Sequence, residues 1–103
     1  MAEQIFKVCM QVPLGEREGC LCIRERNGVL SGYLDLLGHS EPLSGEIEPD
    51  GQCTISGRIR SLVRAMDYTA TGTIWDGRVF LNVRTQKAVF QMTGEEVCDE
   101  TVL

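Results

Sequence analysis

Apolar and polar residues alternate along almost the whole of this 103-residue chain. Residues 52–60 show the pattern most clearly, with Cys53, Ile55, Gly57 and Ile59 at alternate positions and polar side chains between them. A period of two residues is typical of a β-strand with one buried face, and no helical period persists over a comparable length. The pattern predicts eight strands, at about residues 4–12, 19–26, 29–36, 42–48, 52–60, 66–75, 78–85 and 88–94.

Turn sequences that contain glycine separate several of the strands and set their expected register. The dipeptides at residues 27–28 (Asn-Gly) and 76–77 (Asp-Gly) tolerate the positive φ values of a two-residue type I′ turn. At residues 49–51 (Pro-Asp-Gly), a two-residue loop would place an outward residue opposite Ile47. A three-residue loop places Cys53 there instead, so that apolar positions face one another. We therefore predict two tight hairpins and, at residues 49–51, a hairpin with a glycine bulge.

A three-residue phrase, an apolar residue followed by Ser or Thr and then Gly, occurs five times. Its copies begin at Leu30, Leu43, Ile55, Ala70 and Met92. In the predicted registers the apolar residue and the glycine point inward, whereas the hydroxyl points outward. A glycine opposite a large side chain keeps an interior filled and lets the strand coil, as closing a small barrel requires. We therefore interpret the phrase as a structural device rather than a functional repeat.

The tight turns also predict the topology. Consecutive strands joined by short connections pair as neighbours, which makes an antiparallel meander. Eight such strands close most naturally into a small up-and-down barrel, because closure removes exposed edges. A flattened barrel or a two-sheet sandwich is the alternative that the same periodicity allows. We expect one all-β domain over residues 1–103, with residues 95–103 forming a loose acidic tail.

The order of these phrases resembles that of a loosely defined group of small bacterial β-domains. Such domains tend to show a Pro-x-Gly loop, a Gly-x-Leu strand, and Leu-Ser-Gly, Pro-(Leu/Ile)-Ser, Asp-Gly and Tyr-Thr-Gly-Thr phrases. The matching stretches here are VPLGEREGCLCIRERNGVLSGYL, PLSGEIEPDGQ, YTATGTIWDGRV and FQMTGE, within about residues 6–95. The cysteines and the apolar connection at residues 61–65 depart from the pattern. The resemblance implies a stand-alone or appended β-domain with a binding or assembly role, and it carries over no functional residue.

The charge balance and the cysteines narrow the range of functions. The formal net charge is −5 and charges of both signs are interspersed, whereas nucleic-acid-binding domains carry a concentrated basic face. No apolar run approaches the roughly 20 residues of a membrane span, and residues 1–6 lack the features of a signal peptide. Five cysteines, an odd number, favour free thiols in a reducing compartment. We therefore expect a cytoplasmic protein that binds neither nucleic acid nor membrane.

An unusual number of apolar side chains occupies the outward positions of the predicted strands. A contiguous exposed apolar patch usually marks an interface, and Tyr and Trp are enriched in protein–protein contacts. These residues therefore predict a surface for self-association or for docking to another protein. The candidates are Cys9, Cys20, Cys22, Tyr33, Leu37, Trp75 and Phe80.

The interior of the barrel is the second candidate site. An eight-stranded barrel is either filled by its own side chains or holds one small ligand. A lipocalin-like carrier of a small apolar ligand is therefore the alternative function, with residues 62–63 as a lid. The expected interior residues lack the convergent polar groups of a specific pocket, which favours a filled core. The candidate residues for a cavity are Phe6, Met10, Leu34, Tyr68, Leu81, Phe90 and Met92.

Three of the outward cysteines raise a third and more remote alternative. If the first two strands form a hairpin, matching their faces places Cys9 opposite either Cys20 or Cys22. Thiolates gathered in this way could bind Zn²⁺ or Cu(I), or form a labile disulfide. A Cys-x-Cys pair on a strand lacks the turn that structural zinc sites use, so small half-apolar surface residues are the simpler interpretation. No cofactor is expected.

The chain shows no arrangement that predicts catalysis. His39 is the only histidine, and nothing in the sequence places Glu41 or Asp67 beside it. The glycine-rich phosphate loop, the zinc-protease helix motif and the Walker sequence are all absent from the sequence. We therefore expect a non-enzymatic binding or interaction module.

Overall fold

A computed structural model of the protein describes residues 2–13, 15–36, 38–60 and 65–97. These residues form eight β-strands, which include every strand that the alternation predicts. The strands are β1 (Ala2–Val12), β2 (Gly15–Arg26), β3 (Val29–Leu36), β4 (His39–Ile47), β5 (Gln52–Arg60), β6 (Ala65–Trp75), β7 (Arg78–Arg84) and β8 (Val89–Glu96). None of the described residues belongs to a helix that is long and apolar enough to cross a membrane.

The strands form an antiparallel meander that closes into a barrel. Each strand pairs with the next one in the chain, and β8 returns to pair with β1 from Phe6 opposite Glu96 to Met10 opposite Met92. Closure satisfies backbone groups that an open sheet would leave unpaired at its edges. The prediction of an all-β, eight-stranded, up-and-down barrel is confirmed.

The two tight hairpins have the predicted conformation and register. Asn27 and Asp76 are the two non-glycine residues with positive φ among those described, at 54° and 55°. The turn at residues 27–28 places Ile23 opposite Gly32, and the turn at 76–77 places Gly72 opposite Leu81. Both results follow from the local preference of Asn-Gly and Asp-Gly for the type I′ turn.

The hairpin at residues 49–51 contains the predicted glycine bulge. The Gly51 N–H donates to the Glu48 carbonyl at 2.9 Å, and the Glu48 N–H donates to the Gln52 carbonyl at 2.8 Å. The φ of Gly51 is +94°, a conformation that side chains other than glycine rarely adopt. Ile47 consequently pairs with Cys53, as the three-residue loop requires.

Several strands are longer than the alternation indicates. β2 begins at Gly15 rather than at residue 19, and β4 begins at His39 rather than at residue 42. β8 continues to Glu96, so that Glu95 and Glu96 pair with β1 instead of starting a loose tail. Backbone pairing needs no apolar side chain, and a strand therefore continues through polar residues wherever a neighbouring strand offers partners. Residues 98–103 lie outside the described part of the chain.

The inward side chains pack into one hydrophobic core. The completely buried large residues include Phe6, Leu21, Ile23, Ile55 and Met92, and Phe90 packs against the same core from a half-buried position. Close packing of this kind fills the middle of the barrel. The lid suggested at residues 62–63 lies outside the described residues.

The barrel is flattened, and this shape gives it two broad faces. Its principal extents are 36 × 33 × 19 Å. Strands that share a neighbour lie about 9.5 Å apart in a flat sheet, yet Cα atoms of β1 and β7, and of β3 and β5, come within 8 Å of each other. The sheet therefore bends sharply at β8 and at β4. The outer surfaces of β1–β3 and of β5–β7 are the two flatter faces.

Candidate interaction surface

The structure separates the predicted interface residues into three places. Cys22 and Tyr33 are paired neighbours on the face of β1–β3, and Cys20 lies beside them. Cys9 and Phe80 lie in the same groove on the outside of β1, β7 and β8. Trp75 ends β6 at the hairpin end of the barrel. Leu37 lies outside the described residues.

Strand pairing builds a continuous row of outward apolar residues around Cys22. Ile5 pairs with Cys22, Cys22 with Tyr33, and Tyr33 with Pro42, while the Val97 N–H donates to the Ile5 carbonyl at 2.8 Å. The row therefore crosses the β1–β3 face and continues onto the strands at both bends. We call this set the apolar row; its members are Val97, Ile5, Cys22, Tyr33 and Pro42.

The centre of the apolar row is shielded from solvent, whereas the residues that flank Cys22 along the row are exposed. Cys22 points outward, but its neighbours leave it only 4% exposed, whereas Tyr33 is 45% exposed. Ile5 and Val97 are also exposed. Neighbouring side chains thus present a contiguous apolar strip rather than isolated surface residues.

Burial and a hydrogen bond to Glu3 favour the protonated form of the Cys22 thiol. The thiol donates to Glu3 Oε2 across 3.2 Å, and Arg24 Nε lies 3.5 Å from the same oxygen. Burial, followed by this hydrogen bond to Glu3, raises the pKa of Cys22. Hydrogen bonding to Cys22 in turn raises the pKa of Tyr33. A protonated thiol is a weaker nucleophile and a weaker metal ligand than a thiolate.

Polar residues of both charges border the apolar row. On one side, Glu3 and Arg24 lie across from each other on β1 and β2. On the other side, Cys20 pairs with Lys7 of β1 and with Asp35 of β3. An exposed ion pair such as Glu3–Arg24 contributes about 0–1 kcal/mol to stability. The face thus has an apolar centre and a polar rim, which is the usual anatomy of a protein interface.

The cysteines are not arranged as the hairpin argument predicts. Cys9 pairs with Glu18, Cys20 with Lys7 and Cys22 with Ile5, so the expectation that Cys9 faces Cys20 or Cys22 is wrong. Val12 pairs directly with Gly15, and this short turn sets a register that a longer polar loop would have shifted. Within the described ranges, no three His, Cys, Asp or Glu side chains are grouped as metal ligands. The described cysteines are all free thiols.

Phe80 and Cys9 belong to a different surface feature. A shallow groove of about 570 Å³ runs over β1, β7 and β8 and includes both side chains. The paired residues Lys7, Glu95 and Arg78 form its charged side. This charged line separates Phe80 from the apolar row, so the two apolar areas do not form one patch.

The candidates for a ligand cavity belong to the hydrophobic core. They are buried, except for the half-buried Phe90, and pack against one another in the core. Burial raises the pKa of Tyr68 to about 12 and that of the inward Cys53 thiol to about 11. In both cases burial disfavours the charged form, which is the expected effect of a closely packed apolar core.

The carboxylates considered with His39 have other partners. Glu41 Oε2 lies 3.0 Å from Arg60 Nε, and Asp67 Oδ1 lies 3.4 Å from Arg58 Nε. His39 pairs with Leu36 at the start of β4. These contacts direct the two carboxylates toward arginines and provide no support for a catalytic dyad.

Three residues of the apolar row were not singled out from the sequence. Ile5 stands at an outward position of the first predicted strand, and the alternation alone could have identified it. Pro42 begins the fourth predicted strand, and Val97 follows the predicted end of the last strand. Their place in the row depends on pairing across several strands, which no local signal reports.

Comparison with known proteins adds no functional assignment. No protein-family model, curated protein or solved structure matches this chain. The resemblance to small bacterial β-domains therefore stays a prediction.

Proposed function

We propose that this protein is a non-enzymatic interaction module that associates with a second copy of itself through the β1–β3 face. The observation that carries the proposal is the apolar row, which lies across the flatter part of the barrel wall. Flat surfaces allow two barrels to approach over a larger area than strongly curved ones do. Free cysteines in the described residues support a working place in the reducing cytoplasm.

The side chains bordering the row favour a second copy as the occupant. Glu3 and Lys7 lie on β1, two residues before and two residues after Ile5, and therefore on opposite sides of the row. A two-fold axis along the row would place Glu3 of one protomer against Lys7 of the other, twice in each dimer. On β3 the same rotation would place Ser31 against Asp35, and it would create no like-charge pair among the described residues of β1–β3. Such complementarity favours self-association over contact with an arbitrary partner.

Substitution of Tyr33 tests the proposal directly. We expect the wild-type protein to sediment as a dimer and Tyr33→Glu to raise the dimer Kd by about tenfold or more, because a carboxylate would be desolvated at the centre of the interface. Sedimentation velocity over a range of concentrations provides the measurement. Phe80→Glu is the matched control, since Phe80 is 46% exposed but lies outside the row.

The outcomes distinguish this proposal from general effects of surface charge. A wild-type protein that stays monomeric at high concentration would rule out the second copy as occupant. Equal loss of association in Tyr33→Glu and Phe80→Glu would show that the apolar row is not the interface. Circular dichroism and thermal unfolding of both variants establish that the barrel remains folded.

A further inference from the structure

The hairpin end of the barrel contains a preformed cleft. Its volume is about 510 Å³, and it is surrounded by the turns at residues 27–28, 49–51 and 76–77. We call it the hairpin cleft. Because the cleft and the apolar row involve different residues, an inference about the cleft does not depend on self-association.

A repeated backbone hydrogen bond holds the three turns in place. The carbonyl oxygens of Gly28, Gly51 and Gly77 accept N–H groups from the strand that follows each hairpin. The donors are Ile47 at 2.9 Å, Ile74 at 2.8 Å and Glu96 at 2.8 Å, respectively. These bonds fix the walls of the cleft before any ligand arrives, which lowers the entropic cost of binding.

The floor of the hairpin cleft is apolar and one wall is aromatic. Ile23, Leu30 and Ile74 form the floor as buried side chains. Trp75 is 60% exposed and lines the side. A Cβ atom on Gly51 would lie 3.0 Å from Cε3 of the indole, so the absence of a side chain at this turn leaves room for the ring.

The charged groups of the cleft all carry the same sign. Glu25, Glu48 and Asp76 line it, and none of the described residues that line it is a lysine or arginine. Glu25 Oε2 accepts the Gly28 N–H at 2.7 Å, so this carboxylate is held at the cleft. The site therefore combines an apolar floor, an exposed indole and three carboxylates.

We propose that the hairpin cleft binds a small organic cation with an apolar body, of the alkylammonium class. The alkyl chain would cover Leu30 and the half-buried Ile47, replacing water at the apolar floor. The ammonium group would interact with the carboxylates of Glu48 and Asp76. Trp75 would add a cation–π contact, for which indole is the best aromatic group. A fatty acid of equal length would meet the same carboxylates with the wrong charge.

Fluorescence of Trp75, the only tryptophan in the chain, measures binding directly. We expect octylammonium to change the emission in a saturable way, with octanol and octanoate binding about tenfold or more weakly. The double variant Glu48→Gln/Asp76→Asn should lose about tenfold or more in affinity for octylammonium and keep its affinity for octanol. The control Glu18→Gln/Asp67→Asn changes the net charge equally at exposed positions away from the cleft and should bind as the wild type does.

One further measurement keeps the outcome decisive. Isothermal titration calorimetry of Trp75→Ala should show weaker octylammonium binding, and it serves as the test if the double variant does not fold. The proposal is overturned if octylammonium produces no saturable signal, or if octanoate binds equally well. Equal binding by the Glu48→Gln/Asp76→Asn variant and its control would also overturn it, because the cleft carboxylates would then have no part in recognition.

Discussion

Cys53 illustrates how burial sets the chemistry of single side chains in this barrel. Its thiol faces the core, and burial raises its pKa from 9.0 to about 11. Between these values the native protein keeps the thiol proton, whereas the unfolded chain loses it. The contribution of this group to the free energy of unfolding is therefore fully present below pH 9 and is lost as the pH rises toward 11. Tyr68, whose pKa burial raises to about 12, contributes with the same sign at higher pH.

This linkage predicts the alkaline stability of a cysteine variant. We expect Cys53→Ala to show a shallower decrease in unfolding free energy between pH 9 and pH 11 than the wild type. Urea unfolding at several pH values in this window measures the slope. Thr54→Ala is the control, since Thr54 is exposed and carries no titratable group. Parallel slopes for wild type and Cys53→Ala would contradict the assignment.

At the scale of the strand, the glycines of the repeated phrase allow neighbouring backbones to approach closely. Gly72 has a φ of +158°, and a Cβ there would overlap the Phe80 carbonyl oxygen and lie 2.9 Å from the Leu81 Cα. Gly32 in β3 has the corresponding conflict with the Cys22 carbonyl. These positions therefore exclude side chains for a reason that lies in the backbone of the adjacent strand.

Substitution within β6 tests this interpretation. We expect Gly72→Ala to destabilise the protein by about 2 kcal/mol or more, because the backbone of β7 must move to relieve the overlap. Thr71→Ala, at the exposed neighbouring position, should change stability by no more than about 0.5 kcal/mol. Chemical denaturation gives both values. Equal midpoints for the two variants would show that β6 and β7 adapt without cost.

At the scale of the whole molecule, the proposed dimer depends on the relation between two charges on one strand. Lys7→Glu would place two glutamates against each other on both sides of the two-fold axis, and we expect the dimer Kd to rise about tenfold. Adding Glu3→Lys to the same chain exchanges the charges and should restore association. Sedimentation equilibrium of the single and double variants measures this recovery. A double variant that associates no better than Lys7→Glu would exclude the proposed two-fold arrangement.

The local parts of the structure could be predicted well from the sequence. The turns at residues 27–28 and 76–77 form because Asn-Gly and Asp-Gly accept positive φ, and this preference is a property of the dipeptide. The register at residues 49–51 follows because only one loop length keeps apolar residues on one face. The turn between β1 and β2 carries no such signal. The prediction that Cys9 faces Cys20 or Cys22 is therefore wrong, because it assumed a different register for this hairpin.

The strands, most of their turns and the meander are predictable from the chain alone, because side-chain alternation and turn conformation act over a few residues. Which outward residues become neighbours is known only from the closed barrel. The apolar row requires the registers of four strand pairs to agree, and the β1–β3 face is flat because the barrel bends at β4 and β8. The hairpin cleft likewise exists because closure brings three distant turns together. Each of these features depends on how all the strands are arranged around the barrel, which no single segment of the chain specifies.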